Sequence, residues 1–191
     1  MSRLDSFIRR LEAQRSCIDF AARPGNLPRG AIFELGLGNG RTYDHLRTVF
    51  RAREIFVFDR RVDPHPDCVP DSRHLFLGEI AETLARAASL FRSQIALVHL
   101  DISSSDEVSD RIMSTTIAPL IAEVCVPEAL VASDHPLPLS KWQQVSLFEV
   151  PKHRYFLYRN APVQPVVCAS ELRIARAERR SGVSNPSVNL P

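Results

Sequence analysis

Between residues 31 and 132, five short apolar runs alternate with longer stretches whose apolar residues recur at helical spacing: Ala31–Leu35, Glu54–Phe58, His74–Leu77, Gln94–Leu100 and Ala129–Ala132. Mostly apolar runs of four to seven residues are what strands show when both of their faces are covered, and the amphipathic stretches between them supply the cover. This alternation constrains the chain to a doubly wound α/β sheet, mostly parallel, with helices on both faces. It also says where chemistry belongs, because ligands bind such sheets beyond the C-terminal ends of the strands, where the strand order reverses. Gly36–Gly40, Asp59, Gly78-Glu79, Asp101 and Asp134-His135 all stand just after predicted strands.

The intervening helices are predicted at Thr42–Arg53, Ile80–Phe91 and Asp106–Cys125, the last kinked by Pro119. An N-terminal helix over about 3–22 places Leu4, Phe7, Ile8, Leu11 and Ile18 on one face and stops at Pro24-Gly25-Asn26. Asp63–Asp71 holds three prolines and is predicted to be an irregular loop. After the fifth run the pattern changes. Val145–Val150 and Tyr155–Tyr158 are β-prone, and the short Pro151–His153 link suits an antiparallel hairpin closing a Rossmann-like sheet. The segment Pro136–Gln144 is too short for a helical crossover, which would leave an apolar face near Trp142 and Phe148 for a second copy to cover. The expectation is therefore a homodimer or larger. Residues 1–160 read as a single domain, and 161–191 as a proline- and serine-rich tail with a basic helical patch at Ser170–Arg180.

Composition excludes several classes. With 45% hydrophobic and 24% charged residues the 191-residue chain is ordinary globular material, and a net charge of +2 gives no field that steers it toward nucleic acid or anionic lipid. Arg9, Arg10 and Glu12 interrupt any signal-peptide core, and no apolar run approaches the length of a membrane span. Cys17, Cys68, Cys125 and Cys168 are widely spaced with no C-x-x-C pair, which suits reduced, buried thiols in a cytoplasmic protein and excludes a zinc knuckle or thioredoxin motif.

The turn after the first run reads Glu34-Leu35-Gly36-Leu37-Gly38-Asn39-Gly40. Alternating glycines let a backbone take positive φ and approach a ligand with no Cβ in the way, and the helix that follows offers unpaired N–H groups to an anion. A nicotinamide- or flavin-binding turn needs its third glycine at position 41, which holds Arg41, and no Gly-Lys-Ser/Thr follows for a P-loop.

An acidic residue at the strand end followed by Gly-x-Gly-x-Gly resembles the first motif of class I S-adenosylmethionine-dependent methyltransferases. The proportions of the chain and its Phe58-Asp59-Arg60 and Gly78-Glu79-Ile80 segments are similar to a small bacterial family of these enzymes. The resemblance spans roughly Ala31 to Val150. It implies S-adenosyl-L-methionine as cofactor and S-adenosyl-L-homocysteine as product. It further implies that Glu34 and the backbone of Gly36, Leu37, Gly38, Asn39 and Gly40 hold the methionine end. Asp59, nineteen residues past Gly40 and followed by Arg60, would hold the ribose hydroxyls. Gly78, Glu79 and Ile80 would meet the adenine, with Glu standing where the family has Asp, and Asp101 would border the same site.

On the acceptor side, catechol-O-methyltransferase-like enzymes carry an Asp after the fourth strand and Asp-Asn after the fifth, together binding a divalent cation. Asp101 and Asp134 match, while His135 replaces the Asn. Three readings stay open: a divalent metal on Asp101, Asp134 and His135; metal-free catalysis with Asp101 or His135 as general base; or purely structural roles. The acceptor is expected to be a small molecule, since outside Arg173–Arg180 no basic stripe interleaves with aromatics for nucleic acid. The rival readings are an NAD(P)-dependent oxidoreductase on the same architecture and a catalytically idle cofactor-binding or interaction domain.

Overall fold

The computed structural model describes residues 2–104 and 106–162. The predicted tail from 163 on, with its basic patch and Cys168, lies outside the described residues. Helix α1 (Arg3–Ala22) opens on a capping box in which Ser2 and Asp5 satisfy one another's backbone N–H groups, and it ends ahead of Pro24. There follow β1 (Ala31–Leu35), α2 (Arg41–Val49), β2 (Ile55–Asp59), β3 (Leu75–Leu77), α3 (Ile80–Leu90), β4 (Ile95–Leu100) and α4 (Glu107–Val124). The chain closes with β5 (Cys125–Ser133), β6 (Trp142–Val145) and β7 (Phe156–Pro162).

The seven strands form one sheet in the order β3-β2-β1-β4-β5-β7-β6. Strands β1 to β5 pair in parallel, and β7 runs antiparallel to both β5 and β6. This is the doubly wound, Rossmann-like architecture with a C-terminal antiparallel pair. Side-chain alternation divides the core into two. Phe33, Leu35, Phe58 and Val98 pack against α3 and α4, and Ile32, Val57, Leu97 and Leu130 pack against α1 and α2. The order reverses between β1 and β4, which opens the crevice above their C-terminal ends.

Several expectations shift. Strand β5 starts at Cys125 rather than Ala129, because its ladder runs on through a break in register at which Glu128 takes φ 64°. Strand β6 lies at Trp142–Val145 rather than Val145–Val150, so residues 146–155 form a long connection in place of the tight link expected at Pro151–His153. The β5–β6 connection holds no helix, as its length requires. Its Leu137 and Leu139 fold back into the core against Trp142, and the Leu137 N–H donates to the Tyr158 hydroxyl at 3.1 Å. The face expected to be bare near Trp142 is thus covered from within, and Phe148 alone stays fully exposed there.

The buried face of α1 is also displaced along the helix. Ala13, Gln14, Cys17, Ile18 and Ala21 are buried, whereas Leu4, Phe7 and Ile8 are exposed. A helix of 20 residues is about 30 Å long, and strands of five or six residues reach only about 20 Å, so its first half overhangs the sheet.

Candidate functional site

Residues from four strand ends converge on one cleft of about 380 Å³. Gly36 and Gly38 follow β1, Asp59, Arg60 and Arg61 follow or end β2, Glu79 and Ile80 open α3, and Asp101–Ser104 with Asp110 and Met113 come from β4 and α4. Each of the first four strands therefore delivers its predicted residue to the same cleft.

The turn is held from within. Asp59 Oδ2 accepts the N–H groups of Leu37 at 2.8 Å and Gly38 at 3.1 Å, and its Oδ1 accepts the N–H of Arg61 at 3.2 Å. A carboxylate offers about four acceptor positions, so capacity remains for a ribose hydroxyl. The Gly36 N–H donates to Phe58 and that of Gly40 to Leu37, both at 2.8 Å. Four of the five amides of this turn thus have partners inside the protein, and that of Asn39 is left over. The glycines differ in purpose. A Cβ on Gly36 would collide with the Asp101 carbonyl, and one on Gly40 with Cys68, whereas one on Gly38 would meet nothing within 4 Å. Gly38 thus leaves open room in the cleft, as a cradle for a bound ligand must. Asn39 is exposed and Leu37 buried beneath the turn. Gly78 joins β3 to α3 at φ 141°, and Glu79 is exposed at the α3 N-cap with no capping bond, leaving its carboxylate available.

Glu34 is not among the residues that line the cleft. It is fully buried and faces away from the cleft into a chain of hydrogen bonds. The Thr42 hydroxyl donates to Oε1, and Oε2 lies 2.6 Å from His99 Nδ1. His99 Nε2 lies 2.7 Å from the Tyr155 hydroxyl, which donates to the Leu100 carbonyl at 2.8 Å. Since that hydroxyl has one proton and gives it to the carbonyl, it accepts from His99 Nε2. Burial raises the Tyr155 pKa well above its ordinary value, which keeps the hydroxyl protonated as a donor. Glu34 therefore fastens β1 to β4, and each of its oxygens has a partner inside the protein.

The acceptor side also differs from expectation. Arg10 Nη2 contacts Asp101 Oδ1 and lies 3.7 Å from Asp134 Oδ2. Gln14 Nε2 donates to Asp101 Oδ2 at 2.7 Å. Ser103 gives both its hydroxyl and its N–H to Asp134 Oδ2. Among the described residues no group of three His, Cys, Asp or Glu side chains could hold a metal. The cation between Asp101 and Asp134 is the Arg10 guanidinium, so these residues do not fit a divalent ion. His135 turns to Asp110 instead, with Nε2 3.3 Å from Oδ2, and its Nδ1 is buried with no hydrogen-bond partner. A cavity of about 10 Å³ beside it, lined also by Ser103, Asp110 and Asp134, has room for about one water. Both oxygens of Asp101 are occupied, which makes it the poorer base of the two candidates.

Arg10, Gln14 and Asp110 contact the predicted residues Asp101 and His135 without standing out by any local motif. Gln14 carried a signal, being a polar residue inside the apolar stripe formed by Ala13, Cys17 and Ile18.

Comparison with known proteins shows the family and the fold. The family described as S-adenosyl-L-methionine methyltransferase matches residues 1–160. An S-adenosyl-L-methionine methyl transferase from Silicibacter pomeroyi DSS-3 is 37% identical, with a TM-score of 0.77 over 84% of this chain and 99% of that one. A probable spermidine synthase from Corynebacterium glutamicum ATCC 13032 shares the fold, at 12% identity and a TM-score of 0.53 over 97% of this chain and 83% of that one. No curated protein matches the sequence. Among the described residues no helix is long and apolar enough to cross a membrane.

Proposed function

Because the chain belongs to the S-adenosyl-L-methionine methyltransferase family, we propose that it moves the sulfonium methyl group to a small-molecule acceptor by in-line displacement. The bound cofactor supplies an electrophilic methyl group on a cationic sulfur, and the chain's own residues position the partners and remove a proton. The observation that carries the reading is the convergence of Gly36, Gly38, Asp59, Glu79 and Asp101 on one cleft. In it, Asp59 accepts from the ribose hydroxyls while bracing the turn, Glu79 accepts from the adenine amino group, and the open space at Gly38 admits the chain of the methionine.

His135 is the general base of this proposal. Asp110 orients its ring through Nε2, and Nδ1 accepts no hydrogen bond, with Asp134 Oδ1 3.9 Å away. A small acceptor is supported by the charge of the cleft, where Asp59, Glu79, Asp101 and Asp110 outnumber Arg60 and Arg61; such a lining repels a phosphate backbone. Self-association through the exposed Phe148 belongs to the same proposal, and sedimentation as a monomer at micromolar concentration would remove that part.

Calorimetric titration tests the cofactor. S-adenosyl-L-homocysteine is expected to release or take up heat and NAD to give none; the reverse would favour an oxidoreductase. Transfer of labelled methyl groups is then followed against panels of small molecules, RNA and protein, and labelling confined to a macromolecule would overturn the small-acceptor reading. With an acceptor in hand, His135→Gln is expected to lower turnover by roughly 10²–10⁴-fold while leaving S-adenosyl-L-homocysteine binding unchanged.

A further inference from the structure

We infer that the connection between β6 and β7 forms, with α1, a second binding site, and that its ligand is an amphipathic anion, an apolar body ending in a carboxylate.

Residues 146–155 are folded into two hydrogen-bonded turns. The Val150 N–H donates to the Leu147 carbonyl at 3.2 Å, and the Arg154 N–H to the Pro151 carbonyl at 3.1 Å. Between this connection and α1 lies a groove of about 660 Å³, a size that encloses a small organic ligand. Cys17, Val145, Leu147, Val150 and Leu157 form its apolar walls. Cys17 and Leu157 belong to the half of the core packed against α1 and α2. Ile80, Ile102 and Met113 of the cleft above β1 and β4 belong to the other half. The groove and that cleft share no lining residue, so the two sites are separate and this inference stands independently of the cofactor reading.

Charge decides what the groove takes. Lys152 and His153, at the apex of the second turn, are exposed on its rim, and among the described residues no Asp or Glu lines it. Neither of these two side chains is in an ion pair with a described residue. Arg154 follows as a third basic group, with Nη1 3.4 Å from Ser6 Oγ. Glu149 is the one carboxylate of the connection, and it lies outside the lining. The turn holds His153 at φ 61°, a conformation that glycine adopts at less cost, yet an imidazole stands there. Apolar walls under an unpaired basic rim complement an apolar body with an anionic head. A neutral ligand would leave the rim unused, and an inorganic anion would leave the walls wet.

Octanoate is the probe, with 1-octanol keeping its body and acetate its head. Calorimetry on the full chain is expected to show octanoate binding, 1-octanol at least about fivefold weaker, and no heat from acetate, which buries almost no apolar surface. In the double variant Lys152→Ala, His153→Ala, octanoate is expected to fall to the level of 1-octanol, with an unchanged urea midpoint reporting an intact fold. Amide shifts of the ¹⁵N-labelled chain locate the ligand, and changes confined to 144–157 and the turn of α1 around Cys17 support the site. Absence of octanoate binding, equal affinity for octanoate and 1-octanol, full affinity in the double variant, or shifts centred on Gly36–Asp59 would each overturn the inference. So would sedimentation of a dimer that octanoate dissociates, because a second copy would then be the occupant of the groove.

Discussion

A backbone carbonyl decides what Gly36 can be, and empty space decides what Gly38 can be. Both residues have positive φ, 95° and 51°, yet their substitutions should separate stability from binding. Gly36→Ala meets the Asp101 carbonyl and Ile102, so it is expected to cost roughly 2–4 kcal/mol of unfolding free energy. Gly38→Ala meets no protein atom and should cost only about 1–2 kcal/mol, while its methyl group enters the cleft and weakens S-adenosyl-L-homocysteine. Urea unfolding beside calorimetry reads both, and equal binding losses with equal stability losses would contradict the distinction. The buried relay makes a second residue-scale prediction. Tyr155→Phe leaves His99 Nε2 without its partner and is expected to destabilise by about 1–3 kcal/mol, as measured by the urea midpoint.

At the scale of elements, α1 is two helices in function. Its second half is core, and its first half is a bridge held by one capping box and the Arg10 contacts. Ser2→Ala removes the cap and is expected to cost about 1 kcal/mol, felt as faster amide exchange in the first turns of α1 with a nearly unchanged global midpoint. A large fall in the midpoint would mean that the overhang belongs to the core. The helical period of α1 was legible in the sequence, but its buried face was not, because Leu4, Phe7 and Ile8 satisfy the period and yet run past the end of the sheet. Strand β5 extends beyond its apolar run for a related reason. Pro127 and Glu128 break the apolar run locally, while pairing with β4 carries the strand across the break.

Across the whole molecule, buried thiols and phenols set the response to alkali. Burial raises the Cys17 thiol to about 12, and pushes Cys125 and Tyr155 up as well. Once unfolded, the thiols ionise near 9.0. Their contribution to stability is therefore complete below that pH and lost as pH rises from there toward about 12, at about 1.4 kcal/mol per pH unit for each thiol. Urea unfolding at about pH 8 and about pH 10.5 should show this decline, and Cys17→Ala should flatten it by one thiol's share. Ligand linkage acts on the same quantity. S-adenosyl-L-homocysteine at ~100 times its dissociation constant should add roughly 2.7 kcal/mol, and NAD should add nothing in a thermal-shift assay.

The sequence by itself determined the alternation of strands and helices, the sheet class, and the strand ends at which Gly36, Asp59, Glu79 and Asp101 would gather. Apolar periodicity, glycine spacing and the crossover rule for parallel sheets act over short stretches of chain. Only the tertiary structure decided the partners. Glu34 meets His99 across 65 residues because β1 and β4 pair in register, and Arg10 meets Asp101 across 91 because a long helix overhangs short strands. A charge buried or bridged in this way is chosen by where distant segments come to rest, and no local pattern in the chain encodes that meeting.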